Sequence, residues 1–169
     1  MKFVIPFAAM ALVASPAIAQ EKPVFDFAGF DTETAVANPS FGRGCDVDRD
    51  EPGKTACSAW NMRLGDGSAK IVMVNLYEGK LSSALGILDR NQFLSVLSAF
   101  TAKYGSPDRT ETRVWRNGAG ASLDNEVFIW EFQGGELELE SIGSRIRDSS
   151  FQFFHTTNRA PTEAPPVNF

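Results

Sequence analysis

Apolar and polar residues alternate along most of the chain after its first twenty positions. AKIVMVNLYEG (69–79) sets Ile71, Met73 and Tyr77 against Val72, Val74 and Leu76, the period-two pattern of a half-buried strand. SAWNMRL (58–64) predicts a second strand, closed by the turn residues Gly65-Asp66-Gly67, and VFDFAGF (24–30) a third. Residues 31–44, with Pro39, Gly42 and Gly44, read as mostly loop, and a turn at Glu78-Gly79-Lys80 leads into LSSALGILD (81–89). The period then changes. In DRNQFLSVLSAFTAKYGSP, Phe93, Leu97, Phe100 and Tyr104 recur at helical spacing, with Leu94 and Val96 widening the stripe. Asp89 and Gln92 stand where a capping box needs them, Gly105 supplies a left-handed stop, and Pro107 bars continuation.

Alternation returns in TETRVWR (110–116), EVFIWEF (126–132), ELELESI (136–142) and SFQFFHT (150–156). The loops between them are NGAGASLDN (117–125), Gly134-Gly135 and GSRIRDS (143–149). Strands, one helix, then strands predict an α+β fold. Its largely antiparallel sheet has about six to eight strands, and one main helix, about 90–104, packs on one face.

One helix covers one face of a sheet, and this chain is rich in aromatic residues, 14 of them Phe. EVFIWEF puts Phe128, Trp130 and Phe132 on one face and Val127 and Ile129 on the other. Leu97 and Phe100 are expected to seat the helix on the face carrying Val72, Val74 and Ile129. Phe128, Trp130 and Phe132 would then need cover from the N-terminal strand, the tail or a partner, and they are the candidate binding residues.

The first residues change the setting. MKFVIPFAAMALVASPAIAQ has Lys2, an apolar run from Phe3 to Val13, and Ala17-Ile18-Ala19, the layout of a secretory signal peptide cleaved after Ala19. The run is too short for a spanning helix, which needs about 20 apolar residues. The expected organisation is a signal over 1–19, one α+β domain over 20–158, and a Pro-rich flexible tail over 159–169. Loss of Lys2 takes the formal charge from −5 to −6, which disfavours nucleic acid and anionic lipid as partners. The expected location is periplasmic or secreted.

An oxidising compartment makes Cys45 and Cys57, the only cysteines, a disulfide. Between them, Asp46, Asp48 and Asp50 fill the first three ligand places of an EF-hand loop. Glu51 stands where that loop needs glycine, and Cys57 where it needs its bidentate glutamate, so a stapled surface loop is expected and no metal. His155 is the single histidine, in phase with Phe151 and Phe153, and reads as an edge-of-core residue with one ring nitrogen bonded. No G-x-S-x-G motif offers it a nucleophile. Glu136, Glu138 and Glu140 share one strand face at roughly 7 Å spacing, as a solvated row beside Arg145 or Arg147. NGAG (117–120) lacks the lysine and helix of a phosphate loop.

YGSP closing a helix, then VWRNGAG, NEVFIWEF, GGELELESIGSRI and SSFQF, resembles a group of small exported bacterial α+β proteins. That group shares K-Y-G-x-P, N-x-x-G, W-x-F or W-x-W, and L-x-L before a terminal strand. The resemblance covers roughly residues 90–156. It implies fold and compartment, and it carries over no catalytic residue or cofactor. The function expected is therefore a non-enzymatic binding or accessory protein of the bacterial envelope, its partner an unknown protein or small ligand. The competing reading is a hydrolase acting on envelope material through clustered carboxylates.

Overall fold

The computed structural model describes residues 21–158. The signal expected over 1–19 and the tail over 159–169 lie outside them. A short hairpin, β1 (Asp26–Phe27) and β2 (Phe30–Asp31), precedes eight strands that form one antiparallel sheet. These are β3 (Gly44–Val47), β4 (Lys54–Leu64), β5 (Gly67–Tyr77), β6 (Lys80–Asp89), β7 (Arg109–Arg116), β8 (Ser122–Phe132), β9 (Gly135–Glu140) and β10 (Asp148–His155). A 3-10 turn (Arg90–Gln92) and helix α1 (Phe93–Tyr104) separate β6 from β7.

The order across the sheet is β3-β4-β5-β6-β10-β9-β8-β7. Each half is thus a four-stranded meander of sequence neighbours, and the halves join where β10 pairs with β6, Phe151 opposite Gly86 and Phe153 opposite Ala84. That close approach needs Gly86, because a Cβ there would lie 2.0 Å from the Phe151 ring. The expected α+β class with one helix on a largely antiparallel sheet is the observed one.

Helix α1 packs on the face that carries Val72, Val74, Trp130, Phe132, Phe151 and Phe153. Phe93, Val96 and Phe100 are buried, and Leu97 and Tyr104 are half-buried against the same core. Leu94 departs from expectation and stands exposed, since it lies on the flank where the sheet runs out at β7. The capping box does not form. The Asp89 carboxylate pairs with Lys70 at 2.7 Å, and Gln92 Oε1 accepts the Ser68 N–H at 3.2 Å, so both side chains tie the helix start to β5. Gly105 ends the helix with φ +88°, and its N–H reaches the Thr101 carbonyl.

Several boundaries differ from the sequence expectation; β4, for example, begins at Lys54, four residues before SAWNMRL. VFDFAGF is a tight hairpin, not one strand: Ala28 and Gly29 both take positive φ, as a two-residue hairpin turn requires. β3 forms inside the acidic stretch, where the apolar pattern is absent. β8 begins at Ser122, because β7 pairs with it continuously down to Arg116 opposite Ser122.

Candidate functional site: the open face of the sheet

The residues singled out by sequence lie apart, and three of them are not at the surface. Trp130 is 1% exposed, its indole N–H donates to the Gly105 carbonyl at 2.8 Å, and Phe100 meets it edge-on. Phe132 packs edge-on against Phe25 and Tyr104, and Phe128 lies half-buried against Phe93. Helix α1 and the segment carrying Phe25 and Phe27 cover this face, and Phe25 stacks on Phe153 with centroids 3.9 Å apart. Trp130 and Phe132 are therefore core residues beneath the helix, and Phe128 packs half-buried against that core. The helix was expected on the face of Ile129, but alternation places Val72 and Val74 with Trp130 and sends Ile129 to the opposite side.

The cysteines meet directly across the β3–β4 ladder and are bonded, with their Cα atoms 4.1 Å apart. Within the hairpin, Asp48 Oδ1 accepts the N–H groups of Asp50 and Glu51 at 2.9 and 3.1 Å. Those two bonds hold its carboxyl below the usual range. Lys54 pairs with Glu51 at 2.7 Å and Asp48 at 3.5 Å. The carboxylate of Asp48 is thus engaged in shaping the turn. Among the described residues, no group of three or more His, Cys, Asp or Glu side chains is placed to hold a metal ion.

His155 is half-buried, and its Nδ1 accepts the Asn158 N–H at 2.9 Å. Burial lowers its pKa, favouring the neutral ring. Its Nε2 lies against Gly134, where a Cβ would approach to 2.2 Å. The histidine closes the end of β10. NGAG forms a tight turn in which Asn117 Oδ1 accepts the N–H groups of Ala119 and Ala121.

The face turned away from the helix has two halves. Over β7, β8 and β9 it is ionic. Arg109 bonds Glu111 at 3.0 Å, Glu131 at 2.7 Å and Glu136 at 2.7 Å, and Arg113 bonds Glu138 through both terminal nitrogens at 2.7 and 3.0 Å. Glu140 stands 3.6 Å from Arg113. The row Glu136, Glu138 and Glu140 shares one face as expected, but its partners come from β7, not from Arg145 or Arg147. The Arg113 bonds hold Glu138 below the usual carboxylate range against the opposing effect of burial, and Gln152 donates a further bond at 3.0 Å. Beneath this layer Val127 and Ile129 are wholly buried, although no helix lies over them; the stems of the charged side chains exclude the water.

Over β4, β5, β6 and β10 the same face is apolar and open. The register aligns Trp60, Ile71, Ile87 and Ser150 in one row, Ser58, Met73, Leu85 and Gln152 in the next, and Ala56, Asn75, Ser83 and Phe154 in a third. Trp60 is 55% exposed, Phe154 60% and Met73 37%, with Ile71, Leu85 and Ile87 half-buried among them. Phe154 also borders a shallow depression lined by Gln133, Glu136, Glu138 and Gln152. Asn75 and Ser83 bond each other at 2.9 Å within the third row.

Sequence reasoning placed Ile71, Met73 and Tyr77 on a common face but passed over Trp60 and Phe154. Parity carried the signal: Trp60 is out of phase with Cys57 and Ala59, and Phe154 with Phe151 and Phe153. Comparisons with protein families, curated proteins and solved structures find no match to this chain. No described helix is long and apolar enough to cross a membrane.

Proposed function

We propose that the protein is an exported, non-enzymatic binding protein of the bacterial envelope, one of the small α+β group that its K-Y-G-x-P, W-x-F and L-x-L segments resemble. It takes a protein or small ligand on the apolar half of its open sheet face. The observation that carries this reading is the diagonal of Trp60, Met73 and Phe154 across three successive cross-strand rows, exposed among the described residues while the other aromatic face is covered. Burying a large apolar side chain contributes roughly 1.5–3 kcal/mol, so a grouped set of uncovered ones is a reserve for association. The Cys45–Cys57 bond fits an oxidising compartment, and the charged start of the chain supports export. A hydrolase using clustered carboxylates has less support, because Glu138 is held ionised by Arg113 and offers no proton to a leaving group.

The test is a photo-crosslinking side chain at position 73, compared in the cell with one at position 50, in the exposed turn between β3 and β4 at the far end of the sheet from β7. A discrete adduct from position 73 alone supports the reading. Equal adducts from both positions, or none from 73, overturn it.

A further inference from the structure

The sheet ends on β7, and no described strand pairs with its outer edge. This edge is eight residues long, contains neither proline nor glycine, and leaves Thr110, Thr112 and Val114 exposed on the helix side. A long edge with free N–H and C=O groups is a template for another strand, and natural sheets commonly blunt such edges with charged side chains, proline, a bulge or a covering element. Among the described residues β7 has no proline, bulge or covering strand over Arg109–Arg116, and its charges, Arg109, Glu111, Arg113 and Arg116, are of both signs, so a second copy can pair them.

Its sequence is also complementary to itself when reversed. Antiparallel pairing of two copies about Thr112 sets Glu111 against Arg113, Arg109 against Trp115, Thr110 against Val114, and Thr112 against Thr112. Opposite charges, β-branched pairs and an arginine beside an indole are favourable cross-strand neighbours. A two-fold axis through the sheet keeps the helix sides of both copies together, so allowed registers shift the centre by whole residues. Centring on Glu111 sets glutamate against glutamate and Arg109 against Arg113; centring on Arg113 sets arginine against arginine. Centring on Thr110 or Val114 pairs only three or five of the eight residues, against seven for Thr112. The edge also bears exposed apolar groups: Val114 is 59% exposed, and Leu94, 73% exposed, shares a shallow groove with Thr112.

We propose that the protein self-associates through β7, two copies pairing antiparallel about Thr112 into one continuous sheet. This does not depend on what the open face binds. The charges of β7 discourage the registers centred on Glu111 and Arg113, and the register about Thr112 pairs more of the strand than those centred on Thr110 or Val114.

Cysteine scanning tests it, because the native cysteines are bonded to each other and leave no competing thiol. Residues directly opposite in an antiparallel pair have Cα atoms about 4.5–5.5 Å apart, within disulfide reach. Two copies of residue 110 would be about 13 Å apart in this register. Thr112→Cys should therefore oxidise to a linked dimer. Thr110→Cys and Val114→Cys should each stay unlinked alone and form a linked dimer when mixed. Sedimentation of the unsubstituted protein should give a mass of two chains. A one-chain mass at every concentration, or linkage at position 112 no greater than at 110 or 114 alone, overturns the proposal.

Discussion

The indole N–H of Trp130 donates to the carbonyl of Gly105, the residue that ends the helix, at 2.8 Å. One bond thus fastens the C-terminus of α1 to the C-terminal end of β8 and makes an aromatic residue of the sheet part of the core. Trp130→Ala should cost about 3–5 kcal/mol, the usual loss for removing a buried aromatic side chain. Trp60→Ala, on the open face, should change stability by no more than about 0.5 kcal/mol. Urea unfolding of both variants checks the contrast, and similar losses would mean that Trp60 is also covered.

The helix offers a parallel comparison. Phe100 is buried between Trp130 and Phe151, whereas Leu94 is exposed. Phe100→Ala should destabilise by about 3–5 kcal/mol and Leu94→Ala by a few tenths at most in the isolated chain. The same unfolding measurement, made at low protein concentration, reads both.

The join between the two meanders depends on a missing side chain. Gly86→Ala would put a methyl group 2.0 Å from the ring of Phe151, which is wholly buried. Overpacking of this kind typically costs about 1–3 kcal/mol. A thermal melt should show the loss. A rise in melting temperature, as expected from alanine's greater stiffness in an open site, would contradict the packing described.

Much of this arrangement was legible in the alternating segments, and the reason for each miss is local. β5 and the helix follow from period alone, since Val72, Val74 and Leu76 recur at strand spacing, Phe93 and Phe100 at helical spacing, and all face one core. The assignment of faces between distant strands did not follow, because parity within EVFIWEF says nothing about which side the helix will take. That choice is made by long-range packing of Phe100 on Trp130 and of Phe25 on Phe153. Cover for the aromatic face came from the segment around Phe25 and Phe27, which folds as a hairpin over the core. The burial of Ile129 was invisible for a related reason: its cover is ionic, from Arg109 and Arg113. The register that brings those arginines over Glu136 and Glu138 is set by two strand pairings, β7 with β8 and β8 with β9.

The ionic half of the open face should make stability depend on acid. Arg113 holds the Glu138 carboxyl below its ordinary value of 4.5, with burial opposing, and Arg109 and Arg113 do the same for Glu111. Because these folded-state values are depressed, the unfolded chain takes up protons first. Their contribution is complete above the ordinary value and is lost as pH falls through the lowered ones. The melting temperature should be insensitive to these groups from neutral pH down to about 5 and fall below that. Arg113→Met should lower the melting temperature at neutral pH and flatten the acid decline. An unchanged acid decline would assign it to other carboxylates.

Binding through the open sheet face is tested most directly by removing the exposed aromatics while keeping the photo-crosslinker at position 73. With Trp60→Ser and Phe154→Ser together, the protein should keep its melting temperature to within a few degrees, as surface substitutions do. It should lose the adduct formed by the parent. A folded double variant that still forms the same adduct in the same yield would contradict the account.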